Sequence, residues 1–156
     1  MGAGYGQAQA GLRVGDTYLS KNPSWDRHLW IVVATDPTTK NLLAFNLTTR
    51  KAGCDTSCLV SVGEHRWVTH DTYVTYMRGR LVPPDLMVLS NDWDTHDPVS
   101  NSLLNKVRDG ALKSAFTKEK YKELIRQCIA AEQQSAAASG ANTENPAQPI
   151  PKGPIK

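Results

Sequence analysis

From residue 12 to residue 82, short apolar runs alternate with turn residues. Residues 13–20 (RVGDTYLS) predict a first strand, entered through Gly15-Asp16. Residues 28–35 (HLWIVVAT) are almost continuously apolar, the pattern of a strand buried on both faces. Asp36-Pro37 and Lys40-Asn41 mark a turn, and residues 42–48 (LLAFNLT) return as the hairpin partner. Residues 58–62 (CLVSV) and 72–76 (TYVTY) predict two further strands, and residues 80–82 a sixth. Strands at this spacing, with no helix between them, predict a small antiparallel barrel or sandwich.

The period changes after Pro83. Residues 84–90 predict one or two helical turns. Val99, Leu103, Leu104, Val107, Ala111 and Leu112 recur at helical spacing, opened by Asp97-Pro98 and capped by Asp97 or Ser100. A second helix is predicted after Thr117, with Tyr121, Leu124, Ile125, Cys128 and Ile129 as its apolar stripe. Both stripes predict packing against the strands. The fold class is therefore mainly β with two C-terminal helices.

Composition divides the chain. Residues 1–11 are rich in Gly, Ala and Gln and read as a flexible N-terminus. Residues 12–134 carry nearly all the large apolar side chains. Residues 135–156 are rich in Pro and Ala, with Ile150 and Ile155 as their large aliphatics. Such a tail buries too little to offset its ordering entropy and is expected to be disordered.

Charge adds less. Lys and Arg number 18 against 15 Asp and Glu, a net +3 that permits nucleic acid as a partner without demanding it. It excludes a histone-like basic arm and an acidic solvating protein. Residues 83–97 hold four Asp and no Lys or Arg, whereas residues 101–126 hold seven Lys or Arg and three acids. An acidic loop thus precedes a basic helical stretch. No apolar run approaches the roughly 18 residues of a membrane span, so no membrane association is expected. The N-terminus lacks the charge and apolar core of a signal peptide. Three Cys are too few for a disulfide scaffold, and a reduced, cytoplasmic compartment is expected.

Cys54, Cys58, His65 and His70 are zinc-ligand types in one short segment. Their spacing departs from the familiar Cys-pair and His-pair pattern, and Cys58 falls in an apolar strand. No cofactor is therefore expected. There is no nucleophile elbow, no Walker loop and no dinucleotide fingerprint. The informative residues are histidines. His28, His65 and His70 lie at strand edges or turns, and imidazole suits general acid or base work near neutrality. Arg27, Thr48, Thr49, Arg50, Lys51, Arg66, Arg78 and Arg80 flank the same strands. Trp25, Trp67 and Tyr76 are candidate stacking platforms among them. Basic groups interleaved with aromatics are what single-stranded nucleic acid requires.

In order and spacing, these pieces resemble the MazF/PemK family of toxin endoribonucleases. Val14-Gly15-Asp16-Thr17-Tyr18 is similar to the family's opening G-D-I-Y. Arg27-His28-Leu29-Trp30-Ile31-Val32-Val33 is similar to its R-P-V-L-V-V strand. Ala44-Phe45-Asn46-Leu47-Thr48-Thr49 resembles a strand end of the P-I-T-S type. Residues 72–82 (TYVTYMRGRLV) lie without gaps on S-V-V-L-A-D-Q-I-R-T-V. The resemblance spans roughly residues 12–116. The family's Arg-Pro pair falls on His28-Leu29, and residues 63–70 (GEHRWVTH) have no counterpart.

The resemblance implies an SH3-like barrel that cleaves single-stranded RNA without a metal. It also implies a homodimer, silenced by a cognate antitoxin protein. On this reading His28 and His70 are the acid–base pair, Thr48 donates to a phosphate oxygen, and Arg80 and Arg27 bind the phosphate. Thr49, Lys51, Arg66, Tyr76 and Arg78 would contact the RNA. The alternative is an SH3-like barrel without catalysis that binds a partner protein or nucleic acid.

Overall fold

The apolar run at 28–35 forms an interior strand of a six-stranded antiparallel sheet in the computed structural model, which describes residues 11–20, 28–85 and 93–144. The strands are β1 (Thr17–Ser20), β2 (Leu29–Thr35), β3 (Leu42–Thr49), β4 (Leu59–Val60), β5 (Thr72–Val82) and β6 (Trp93–His96). Two helices follow, α1 (Asn101–Lys113) and α2 (Glu119–Glu144). The sheet order is β4-β5-β3-β2-β1-β6. The chain divides into two compact units, Met1–Ile125 and Arg126–Lys156.

The mainly β architecture with two C-terminal helices is as expected, and the differences are local. The first strand begins only at Thr17, because Gly15 takes a left-handed φ of +96° in the turn before it. The strands expected at 72–76 and 80–82 are one strand, β5. Its pairing with β3 slips between Ala44↔Arg80 and Asn46↔Thr75, so residues 76–79 bulge out opposite Phe45. The exposed Met77 and Arg78 on that bulge break the apolar pattern that would have joined the two halves. β6 lies in the stretch read as an acidic loop, and it pairs with β1. A four-residue edge strand (WDTH) has no apolar alternation to betray it. Of the helical turns expected at 84–90, residues 86–90 lie outside the described residues, as do residues 1–10.

Period two sorts the side chains of the sheet. On one face Tyr18, Trp30, Val32, Leu42, Ala44 and Val82 cluster with Leu12 from the incoming chain. On the other lie Leu29, Ile31, Leu43, Phe45, Leu47 and Val74, all buried. Tyr76 and Cys58 carry this second core to α1. The Tyr76 hydroxyl donates to the Val107 carbonyl at 2.7 Å, and its ring meets Phe45 edge-on at 4.9 Å. Gly110 of α1 lets the helix approach Cys58 and Tyr76 closely.

A second bulge, between Val32 and Ala34 of β2, interrupts the ladder at Val33. Arg108 of α1, only 2% exposed, donates its Nε–H to the Val33 carbonyl at 2.9 Å. A buried charge thus supplies a hydrogen bond where the pairing slips. α1 opens at Ser100, one of the two expected caps, whose hydroxyl accepts the Leu103 N–H at 3.1 Å.

The two ends of the sheet are tied together through side chains. The loop after β4 carries His65 and Arg66, and both reach Asp97, the residue after β6. The sheet therefore curls into a barrel-like form.

Within the first unit, α2 contributes Tyr121 and Ile125 to the core, and Tyr121 meets Phe45 at 6.4 Å. In the second unit, α2 continues from Arg126 to Glu144. It therefore passes the boundary expected at 134–135 by ten residues. Ala136, Ala137 and Ala138 have the highest helix propensity of any residue, which carries the helix without a core. No described helix is long and apolar enough to cross a membrane.

Candidate active site

His28 stands at the entrance to β2, one residue before the ladder begins. Its Nδ1 lies 3.2 Å from the Leu47 carbonyl of β3. A carbonyl only accepts, so Nδ1 carries the proton and Nε2 is the basic nitrogen of the neutral ring. His70 arrives from the other direction, at the end of the loop before β5. Its Nε2 is 2.9 Å from the Thr49 hydroxyl and its Nδ1 3.2 Å from the Thr69 hydroxyl. A hydroxyl can donate or accept, so either nitrogen of His70 can hold the proton.

These two histidines share one cavity of about 280 Å³, together with Leu29, Thr49, Trp67 and Thr72. Its floor is the end of the Leu29–Leu47 face of the sheet, and its wall is the 61–70 loop. The volume is at the small end of ligand sites.

The loop is held at several points. The Glu64 carboxylate accepts the Ser61 N–H at 2.8 Å and pairs with Lys106 of α1 at 2.9 Å. Burial works against the Glu64 charge, but the Ser61 and Lys106 bonds outweigh it and hold the carboxyl below its usual range. His65 is buried. The Trp67 N–H donates to its Nδ1 at 3.2 Å, so Nε2 carries the proton and donates to the Asp97 carbonyl at 2.7 Å. Arg66 pairs with the Asp97 carboxylate at 3.1 Å, both side chains being well exposed. Trp67 is left 46% exposed at the cavity.

The rest of the expected site is elsewhere. Consecutive strand residues point to opposite faces, so Thr49 lines the cavity and Thr48 does not. The Thr48 hydroxyl instead meets that of Thr75 at 2.9 Å on the Trp30 face. Arg80 lies on that face too, with its guanidinium 3.9 Å from the centre of the Trp30 ring. Tyr18 stacks beside Trp30 at 6.0 Å. Between these groups lies Asn46, fully buried, with no hydrogen-bond partner for either amide atom. The four residues assigned to catalysis are thus split two and two across the sheet.

Tyr76, expected to contact RNA, is a core residue with its hydroxyl committed to Val107. Burial pushes its phenol well above the ordinary range. The small barrel needs its large aromatics inside, and the alternation of β5 places Tyr76 there. Arg78 is exposed on the β5 bulge. Lys51 is exposed beside a second cavity, of about 200 Å³, that includes Cys54, Asp55, Tyr73, Met77 and Phe116. Arg27 and Trp25 lie outside the described residues.

Three of the four zinc-type residues have separate engagements, and Cys54 lines the second cavity. Cys58 is buried against Gly110 and Tyr76, and burial raises its thiol pKa. His65 binds Asp97 and His70 the two threonines. Among the described residues no group of three or more His, Cys, Asp and Glu is placed to hold a metal.

The sequence marks His65 as a candidate histidine and Asp97 as a helix cap, but neither as an anchor for the loop. The sequence signal for His65 as an anchor is the segment 63–70, which has no counterpart in the family pattern. The chain matches no protein-family model, no curated protein and no solved structure.

Proposed function

We propose that the chain is a metal-independent endoribonuclease acting on single-stranded RNA. One observation carries this reading: two histidines from opposite ends of the site line a single small cavity. His28 is the base, because its hydrogen bond to Leu47 places the ring proton on Nδ1 and makes Nε2 the basic nitrogen. His70 is the acid. The 2′-OH loses its proton to His28 Nε2 as O2′ forms a bond to the adjacent phosphorus. The P–O5′ bond breaks, and O5′ takes a proton from His70. The products are a 2′,3′-cyclic phosphate and a 5′-OH, and solvent restores both rings. In this reading the chain acts as a cytoplasmic homodimer, restrained by an antitoxin protein.

The test is cleavage of a single-stranded RNA by wild type, His28→Ala and His70→Ala. Each substitution is expected to cut the rate by about 10²–10⁴-fold, with circular dichroism unchanged. Equal cleavage by either variant and wild type overturns the assignment.

A second reading is a barrel that binds a partner protein or nucleic acid without cutting it. The observation favouring it is the polar group on the opposite face, where Asn46 and Arg80 lie beside Trp30 and Thr48 meets Thr75, away from the histidine cavity. RNA that is bound and returned intact by wild type selects this reading.

A further inference from the structure

Trp67 is an unusual residue to leave in solvent. The residue is nearly half exposed, yet its backbone N–H is bound to the His65 ring. The preceding side chain, Arg66, reaches over the Trp67 ring at 6.0 Å while holding Asp97. The following residue, Val68, is buried, and its N–H donates to the His65 carbonyl at 3.0 Å. His65 is in turn anchored on the Asp97 backbone, outside the loop. An exposed indole held at the lip of a largely apolar cavity loses little conformational entropy when a flat group stacks on it.

We propose that Trp67 is the stacking surface for an unpaired nucleobase beside the His28–His70 cavity, and that His65 is its positioning residue. The proposal rests on the endoribonuclease reading above and names how that site holds its substrate. The occupant is a base rather than an aliphatic group, because the cavity combines one aromatic wall with hydroxyl and imidazole hydrogen-bonding groups at Thr49, Thr69 and His70. Stacking accepts any base, so recognition at this point is of single strands and not of sequence.

The probe is a short, fluorescently labelled RNA with 2′-O-methyl groups throughout, which binds but has no 2′-OH to attack. Affinity is measured for the full chain as wild type, Trp67→Phe, Trp67→Ala, His65→Gln, His65→Leu and the His65→Leu/Trp67→Ala double variant. Trp67→Ala is expected to bind on the order of tenfold more weakly, and Trp67→Phe to keep most of the affinity. His65→Leu is expected to weaken binding, and His65→Gln, which retains a donor and an acceptor, to restore part of it. Because His65 acts through Trp67, the double variant is expected to bind no more weakly than Trp67→Ala alone. Wild-type affinity in Trp67→Ala overturns the stacking role, even if His28→Ala has lost cleavage. Additive losses in the double variant overturn the positioning role. Failure of wild type to bind the probe overturns the endoribonuclease reading together with this inference.

Discussion

Gly110 shows how a single residue sets the distance between helix and sheet. A Cβ there would lie 2.7 Å from the Cys58 Cβ and 2.8 Å from the Ser57 carbonyl oxygen, with the Tyr76 hydroxyl nearer still. Helix propensity alone favours Ala over Gly by about 1 kcal/mol. Overpacking against backbone and two core side chains costs about 1–3 kcal/mol. Gly110→Ala is therefore expected to destabilise, by about 1 kcal/mol net. Urea denaturation checks it, and a rise in the midpoint would mean that α1 can back away from β5. The same scale explains part of what was legible beforehand. His28, Thr49 and His70 are polar residues at strand ends, and ends are where cavities open. Arg108 carried no such signal. A charged residue on a helix normally faces solvent, but the bulge at Val33 gives this one a buried partner.

At the scale of elements, caps and continuous apolar runs were readable because each has a local physical cause. β2 is buried along nearly its whole length, as its sequence implies. The α1 start follows from a hydroxyl meeting an otherwise unpaired N–H. Ser100→Ala is expected to cost about 1 kcal/mol, read as a lower thermal midpoint, and Ser100→Asp to preserve it. Equal melting of Ser100→Ala and wild type would show that α1 is held by packing alone. What stayed hidden depends on pairing between distant residues. The unity of β5 is carried by its slipped register with β3, and β6 by backbone bonds to β1. The division of the site did have a local cause. Thr48 and Thr49 are neighbours in one strand, so only one of them can face the histidines.

For the whole molecule, two carboxylates link irregular segments to α1. Asp55 accepts hydrogen bonds from Ser57 and from the Ser114 hydroxyl at the end of α1. Glu64 accepts from Ser61 and Lys106. Burial opposes both charges, but the hydrogen bonds prevail and both carboxyls titrate below their ordinary values. A carboxyl with a lowered folded pKa binds protons more readily when unfolded. Its stabilisation is present above the unfolded pKa of about 4 and is lost as pH falls through the folded value. The contribution of these two carboxyls to the thermal midpoint is expected to be constant from pH 7 to 5 and to fall below about pH 4. Asp55→Asn should lower the plateau and shallow the acid limb. An acid limb of unchanged steepness in that variant would remove Asp55 from the account.

The order of the strands has a further consequence. β3 is interior with both edges paired, and β5, the longest strand, pairs β3 on one side and β4 at Thr72 and Tyr73 on the other. The strands left at the two margins are β4, of two residues, and β6, of four. An unpaired strand edge is a template on which another chain can add, and its hazard grows with its length. Each of these two margin strands is a short template. Its most aggregation-prone sequence, the apolar run of β2, is sealed between β1 and β3. The fold thereby keeps its most strongly β-forming run away from either margin of the sheet.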